Sequence, residues 1–247
     1  MSDVYDVPIV SRRRPGTSGA ASSSAPSMSV APLPPPIVPS GKWNRENRTR
    51  LVTAIRFQVD RSLRAGEMGR HVFGELDPAS ITLAFDTLFE RRRQPSAHFL
   101  DIGAGMGAPT VAAAVIYGAK ATGIEIVGSL FERAAAIYAG DPRIKFIAGD
   151  ATTMDFSDAT HVYTFHAGFD PSIKRIIYNL IMELPNLMCA LIVDYPESAK
   201  ELTNIVNPNH FGIHMSQFSS TGRERFVGTF IYPRRRSLRL ALPIKSQ

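Results

Sequence analysis

The sequence predicts an α/β protein built on a doubly wound, mainly parallel sheet. Three observations point that way. His98-Phe99-Leu100-Asp101-Ile102-Gly103-Ala104-Gly105-Met106-Gly107 is an apolar run that ends in an acid and passes into glycines at alternate positions. That is the pattern of a buried parallel strand feeding a tight turn and then a helix. Beyond it, apolar strands recur roughly every 20 to 35 residues with helical stretches between them. Near the end, extended segments over 212–218 and 226–232 have no helix between them, which fits a hairpin at the sheet edge with one antiparallel strand.

The chain of 247 residues can build one sizeable domain with extensions, and its 44% hydrophobic content falls mainly after residue 50. Cys189 is the single cysteine, so no intrachain disulfide is available, which fits a reducing compartment. No apolar run has membrane-spanning length, and the N-terminus lacks a signal-peptide core, so no membrane association is expected. The net charge of +6 and pI near 9.7 favour polyanionic surroundings.

Residues 1–40 are rich in Pro, Ser and Ala, lack apolar periodicity and read as a disordered tail containing Arg12, Arg13 and Arg14. A basic helical extension follows over 41–70. Leu51, Ile55, Val59 and Leu63 share one face there, with Arg48, Arg50, Arg56, Arg61 and Arg64 among or beside them. Asp77 caps a helix whose first residue is Pro78, with Ile81, Phe85, Leu88 and Phe89 on its buried side. After the glycine loop a helix begins near Pro109. Strands are expected over 121–125, 144–148, 162–165 and 188–193, with helices over 111–117, 130–138 and 171–184.

The glycines alone leave two ligands open, since Gly103, Gly105 and Ala108 also satisfy a dinucleotide motif. The acids separate them. Asp101 closes the first strand, where a carboxylate suits a ligand ammonium and opposes a pyrophosphate. Glu125 closes the second strand and can accept from ribose hydroxyls. Asp150 follows the third strand and can accept from an adenine amino group. Three acids at three consecutive strand ends fit S-adenosylmethionine (SAM), with Gly103, Gly105 and Gly107 letting the backbone approach it.

The fourth strand and its exit read Val162-Tyr163-Thr164-Phe165-His166-Ala167-Gly168-Phe169-Asp170-Pro171. The Asn/Asp-Pro-Pro-aromatic signature of planar-amine methylation is absent. Cys189 lies in an apolar strand and reads as a buried thiol rather than a nucleophile. No Cys/His cluster suggests a metal. Tyr163, Phe165 and Phe169 can wall a channel for a lysine side chain, where aromatic rings attract ammonium groups and desolvation favours the reactive neutral amine.

On these residues the chain resembles the disruptor-of-telomeric-silencing family of non-SET histone lysine methyltransferases. Phe73-Gly74-Glu75-Leu76 is similar to that family's aromatic-Gly-Glu-Thr loop. Asp101 to Gly107 matches its Asp-x-Gly-x-Gly-x-Gly, Gly123-Ile124-Glu125 its Gly-Val-Glu, Gly149-Asp150 its Gly-Asp, and Phe169-Asp170-Pro171 its aromatic-Gly-Pro. Leu76 replaces the threonine, and the family's paired asparagines fall on Phe165 and His166. The resemblance runs over about 70–233, and the compact N-terminal part is similar to that of the trypanosomatid members.

The resemblance implies a Rossmann-like seven-strand SAM-dependent methyltransferase sheet over 71–236, a short helical N-terminal extension and a basic C-terminal tail over 237–247. It implies a nuclear enzyme that methylates a lysine in the folded region of core histone three. Cofactor contacts are then expected from Phe73, Gly74, Glu75, Leu76, Asp101, Gly103, Gly105, Gly107, Glu125 and Asp150. Tyr163, Phe165, His166 and Phe169 are expected to line the acceptor site, with His166 substituting for the missing asparagine. The expected partners are a nucleosome or core histone, with nucleosomal DNA held by the basic segments, and the chain is expected to act as a monomer. Two alternatives stand beside this: methylation of RNA or another basic protein, and a chromatin-binding module that keeps SAM without activity.

Overall fold

The computed structural model describes residues 44–62, 76–90, 96–220 and 224–234. Seven strands form one sheet: β1 (His98–Ile102), β2 (Lys120–Glu125), β3 (Ile144–Ala148), β4 (His161–Phe165), β5 (Cys189–Asp194), β6 (Phe211–Ser219) and β7 (Arg225–Pro233). Their spatial order is β3-β2-β1-β4-β5-β7-β6. β7 runs antiparallel to both neighbours, and the other pairings are parallel. The order reverses between β1 and β4, and open α/β sheets bind ligands in the crevice at such a point.

Strand alternation sorts the core into two layers. Phe99, Tyr163, Cys189, Leu191, Val193 and Phe230 face one side, with α1 (Arg45–Ser62), α2 (Pro78–Glu90), α3 (Ala108–Tyr117) and α4 (Gly128–Ile137) packed there. Leu100, Ile102, Val162, Ala190, Ile192 and Ile231 face the other, under α5 (Pro171–Glu183) and α6 (Pro196–Ile205). Cys189 is buried.

Asp77 caps α2 as expected, accepting from the Ser80 N–H at 2.8 Å. In α1 the buried face is Val52 and Ile55, while the side chains of Val59 and Leu63 lie outside the described residues. Buried Asp86 on α2 accepts from the Arg48 guanidinium at 2.9 Å, from Arg45 at 3.3 Å and from the Tyr117 hydroxyl at 2.8 Å. One carboxylate thereby ties α1 to α2 and α3.

This changes the expectation of an arginine row offered to DNA. Arg48 is committed to a buried acid, Arg56 donates to the Leu76 carbonyl at 3.2 Å, and Arg50 pairs with Glu46 on the helix surface. Arg64 and the side chain of Arg61 lie outside the described residues. The sequence reading placed no element between β5 and β6. The structure has α6 there, opened by Pro196 and anchored by Ala199 and Leu202.

Candidate active site

The C-terminal ends of β1 to β4 open onto a cavity of about 480 Å³. Asp101, Gly103, Gly105, Glu125 and Asp150 line one part of it, and Tyr163, Phe165 and Phe169 another.

The glycine loop is shaped by what surrounds it. Gly103 has φ 75° and Gly105 φ 54°, the left-handed region that side chains rarely enter. A Cβ on Gly103 would stand 2.7 Å from the Phe169 ring, so that ring lies directly against the loop backbone. Gly107 serves differently. It does not line the cavity, and its positive φ begins α3 where a side chain would strike Phe146. Gly123 has the same kind of role, since a Cβ there would meet the Thr110 Oγ1 at 2.7 Å.

Glu125 is only 7% exposed and uses both carboxylate oxygens. Oε2 accepts from the Gly105 N–H at 2.7 Å, and Oε1 from the Val127 N–H at 2.8 Å. The acid at the end of β2 therefore fixes the glycine loop from the neighbouring strand. Each oxygen has a second lone pair for a diol. Asp101 lies on the cavity floor, its Oδ2 accepting from the Thr110 hydroxyl at 2.7 Å. Asp150 is exposed at the rim, and its Oδ1 accepts from the Thr152 N–H and hydroxyl. Those hydrogen bonds hold its carboxyl below the usual carboxylate range.

The acceptor side departs from expectation at His166. Tyr163 and Phe165 reach the cavity, and His166 does not. Period-two alternation sends Thr164 to the opposite face from Tyr163 and Phe165, and His166 opens the 3-10 turn that follows the strand. His166 is fully buried between Phe169 and Tyr178, with ring centroids 5.3 and 5.0 Å away, and neither ring nitrogen has a hydrogen-bond partner. Burial, and then the Lys174 charge, push its pKa down to about 3, so it stays neutral. It is a core histidine in this structure and does not orient an acceptor. Leu76 also differs. It is fully buried in the core and bridges Ser220 instead of lining the cavity. Phe73, Gly74 and Glu75 lie outside the described residues.

Several wall residues escaped the sequence reading. Ile126 and Val127 follow Glu125, Thr152 follows Asp150, and Ile173 and Ile177 come from α5. Ile126 is 68% exposed, an apolar residue left in water beside a strand-end acid. Among the described residues no group of His, Cys, Asp and Glu is placed to hold a metal ion.

Residues 99–180 match a family model described as a methyltransferase domain. No curated protein matches the chain by sequence. Among solved structures, the candidate RNA methyltransferase PH1948 from Pyrococcus horikoshii superposes with a TM-score of 0.60 at 13% identity, covering 77% of this chain and 98% of that one. The fold is that of the Rossmann-like SAM-dependent methyltransferases. The N-terminal domain of human METTL16, solved with S-adenosylhomocysteine, gives a TM-score of 0.53 at 14% identity over 76% of this chain and 82% of that one. The 23S rRNA methyltransferase ErmE gives 0.50 at 16% identity over 62% of this chain and 68% of that one.

The match over 99–180 and the fold mark a methyltransferase domain, and the cavity residues fit SAM as its cofactor. Gly103 and Gly105 present bare backbone to the cavity. Glu125 is buried and held at the loop, and Ile126 offers an exposed apolar surface beside it. In this methyltransferase Glu125 would hold the ribose, Asp150 the adenine edge, and Asp101 the amino-acid end.

Proposed function

We propose that the methyltransferase acts on a nitrogen of RNA. The observation that carries this is the aromatic wall of Tyr163, Phe165 and Phe169, which adjoins the glycine loop through the Phe169–Gly103 contact. Flat apolar rings suit an unstacked base, which can lie against them with its edge toward the methyl donor. Bound SAM supplies an electrophilic methyl on sulfur. The acceptor's lone pair forms the N–CH3 bond as the C–S bond breaks, S-adenosylhomocysteine leaves, and the acceptor's proton passes to solvent. Alignment does most of this work, so no strong base is required. The buried state of Cys189 disfavours carbon methylation through a thiolate adduct. The RNA substrates named for ErmE and PH1948 favour the same class of acceptor.

The lysine of core histone three is the rival acceptor, because the same rings would attract an ammonium group. Arg48, one of the arginines that would hold nucleosomal DNA, is instead occupied by Asp86.

Incubation with methyl-labelled SAM and, separately, total RNA, nucleosomes and free histones decides between them. Label is expected in RNA. Label confined to histone three would replace the acceptor, and SAM binding without label in any substrate would make the chain a non-catalytic module.

A further inference from the structure

We propose that Thr110 is a positioning residue of the donor site, holding the Asp101 carboxylate in the orientation that receives the ammonium end of SAM; this rests on the SAM reading of the cavity and is independent of the acceptor. Thr110 is the third residue of α3, and every residue from Ala108 to Ala114 is buried. It carries the only polar side chain in that stretch. A valine of the same shape would fill the space, and a buried hydroxyl is costly unless it is hydrogen-bonded. The threonines of α1 and α2 meet that need within their own helix. Thr49, Thr53, Thr82 and Thr87 each donate to the carbonyl four residues back. Thr110 instead donates across to β1, to Asp101 Oδ2 at 2.7 Å.

The neighbouring strand leaves room for this bond. Gly123 on β2 is the register partner of Asp101. A Cβ on Gly123 would stand 2.7 Å from the Thr110 Oγ1, closer than side chains tolerate. Gly123 does not have a left-handed φ, so space and not backbone conformation accounts for the glycine. Its bare backbone lets the hydroxyl lie against β2 and reach the acid on β1. Asp101 is 1% exposed and yet lines the cavity, so this carboxylate joins the core to the ligand space. A carboxylate rotates broadly about its Cβ–Cγ bond. The Thr110 hydroxyl fixes that rotation before the cofactor arrives, and a charged ligand end gains affinity from a partner already aimed at it.

Calorimetry on the full chain with two ligands tests this. S-adenosylhomocysteine carries the ammonium, while methylthioadenosine keeps the adenine, ribose and sulfur and lacks the amino-acid end. Thr110→Val should weaken S-adenosylhomocysteine binding about fivefold to tenfold. It should leave methylthioadenosine within about twofold of wild type, which also shows that the variant folds. Thr110→Ser restores the hydroxyl and should bind both ligands like wild type. In an Asp101→Asn background, Thr110→Val should cause almost no further loss, because the two residues act as one unit. Unchanged S-adenosylhomocysteine affinity in Thr110→Val would overturn the proposal. An equal loss for both ligands would overturn it too, since a general loosening of α3 would produce that result. If Asp101→Asn alone leaves S-adenosylhomocysteine binding intact, Asp101 is not at the amino-acid end, and that assignment falls together with this one.

Discussion

Glu125→Gln is the sharpest probe of the donor site. The substitution keeps the side chain's size and removes its charge. Both oxygens of Glu125 accept from backbone N–H groups, those of Gly105 and Val127, in a position 7% exposed. Glutamine has one carbonyl oxygen, so one of the two N–H groups would face an NH2 donor. A buried donor left unsatisfied costs about 1–3 kcal/mol. If the Gly105 N–H is the one lost, the glycine loop is no longer fixed before the cofactor arrives. Charge-assisted hydrogen bonding to the ribose diol is weakened as well, a loss of about 1.5–3 kcal/mol in all. SAM affinity should therefore fall by roughly 10- to 150-fold. Isothermal titration with SAM and with S-adenosylhomocysteine measures the loss, and both ligands should suffer alike because they share the ribose. Glu46→Gln is the control, since that acid forms an exposed pair with Arg50 of little energetic value. Unchanged affinity in a folded Glu125→Gln protein would remove Glu125 from the donor site.

Gly103→Ala places a methyl group 2.7 Å from the Phe169 ring on backbone at φ 75°, so SAM binding should drop sharply while circular dichroism remains native. Arg48→Gln weakens the hold on buried Asp86 and should cost about 2 kcal/mol of stability in urea unfolding, with the Tyr117 and Arg45 bonds softening the loss. Burial lowers the pKa of His161 to about 4 and that of His166 to about 3, so the unfolded chain takes up these protons first. Their stabilising effect is full above the unfolded value near 6.5 and shrinks as pH falls below it. Each histidine should remove about 2 kcal/mol near pH 5 relative to about pH 7.5. Urea midpoints at the two pH values measure this, and His166→Phe should roughly halve the difference. Equal midpoints in wild type would contradict the burial of both rings.

Much of the fold was legible because strand alternation and glycine punctuation are written locally. The glycine loop and its strand-end acids announced the sheet edge, and the lack of a helix between the last two strands announced the hairpin. Helix α6 was missed because its apolar positions, Ala199 and Leu202, are few and lie among charged residues. At the site, Asp101, Gly103, Gly105, Glu125, Asp150, Tyr163, Phe165 and Phe169 all line one cavity. His166 was not legible because it opens a 3-10 turn just past β4, where strand alternation no longer fixes direction, and the turn packs its ring between Phe169 and Tyr178. Leu76 was misplaced because a loop motif says nothing about which of its side chains fills the core. Ile126, Ile173 and Ile177 carry no motif, and only the folded chain brings them to the cavity.

The reversal between β1 and β4 divides the molecule's duties. Residues that fit the donor come from the loops after β1, β2 and β3, while Tyr163, Phe165 and Phe169 come from β4 and the turn that follows it. The two sets share the Phe169–Gly103 contact as their seam. Loops on the acceptor side can therefore be randomised or grafted from another protein of this fold while cofactor loading is kept. A selection for new acceptors should leave Gly103 and Phe169 untouched and begin at Phe165 and Ile173, which line the cavity.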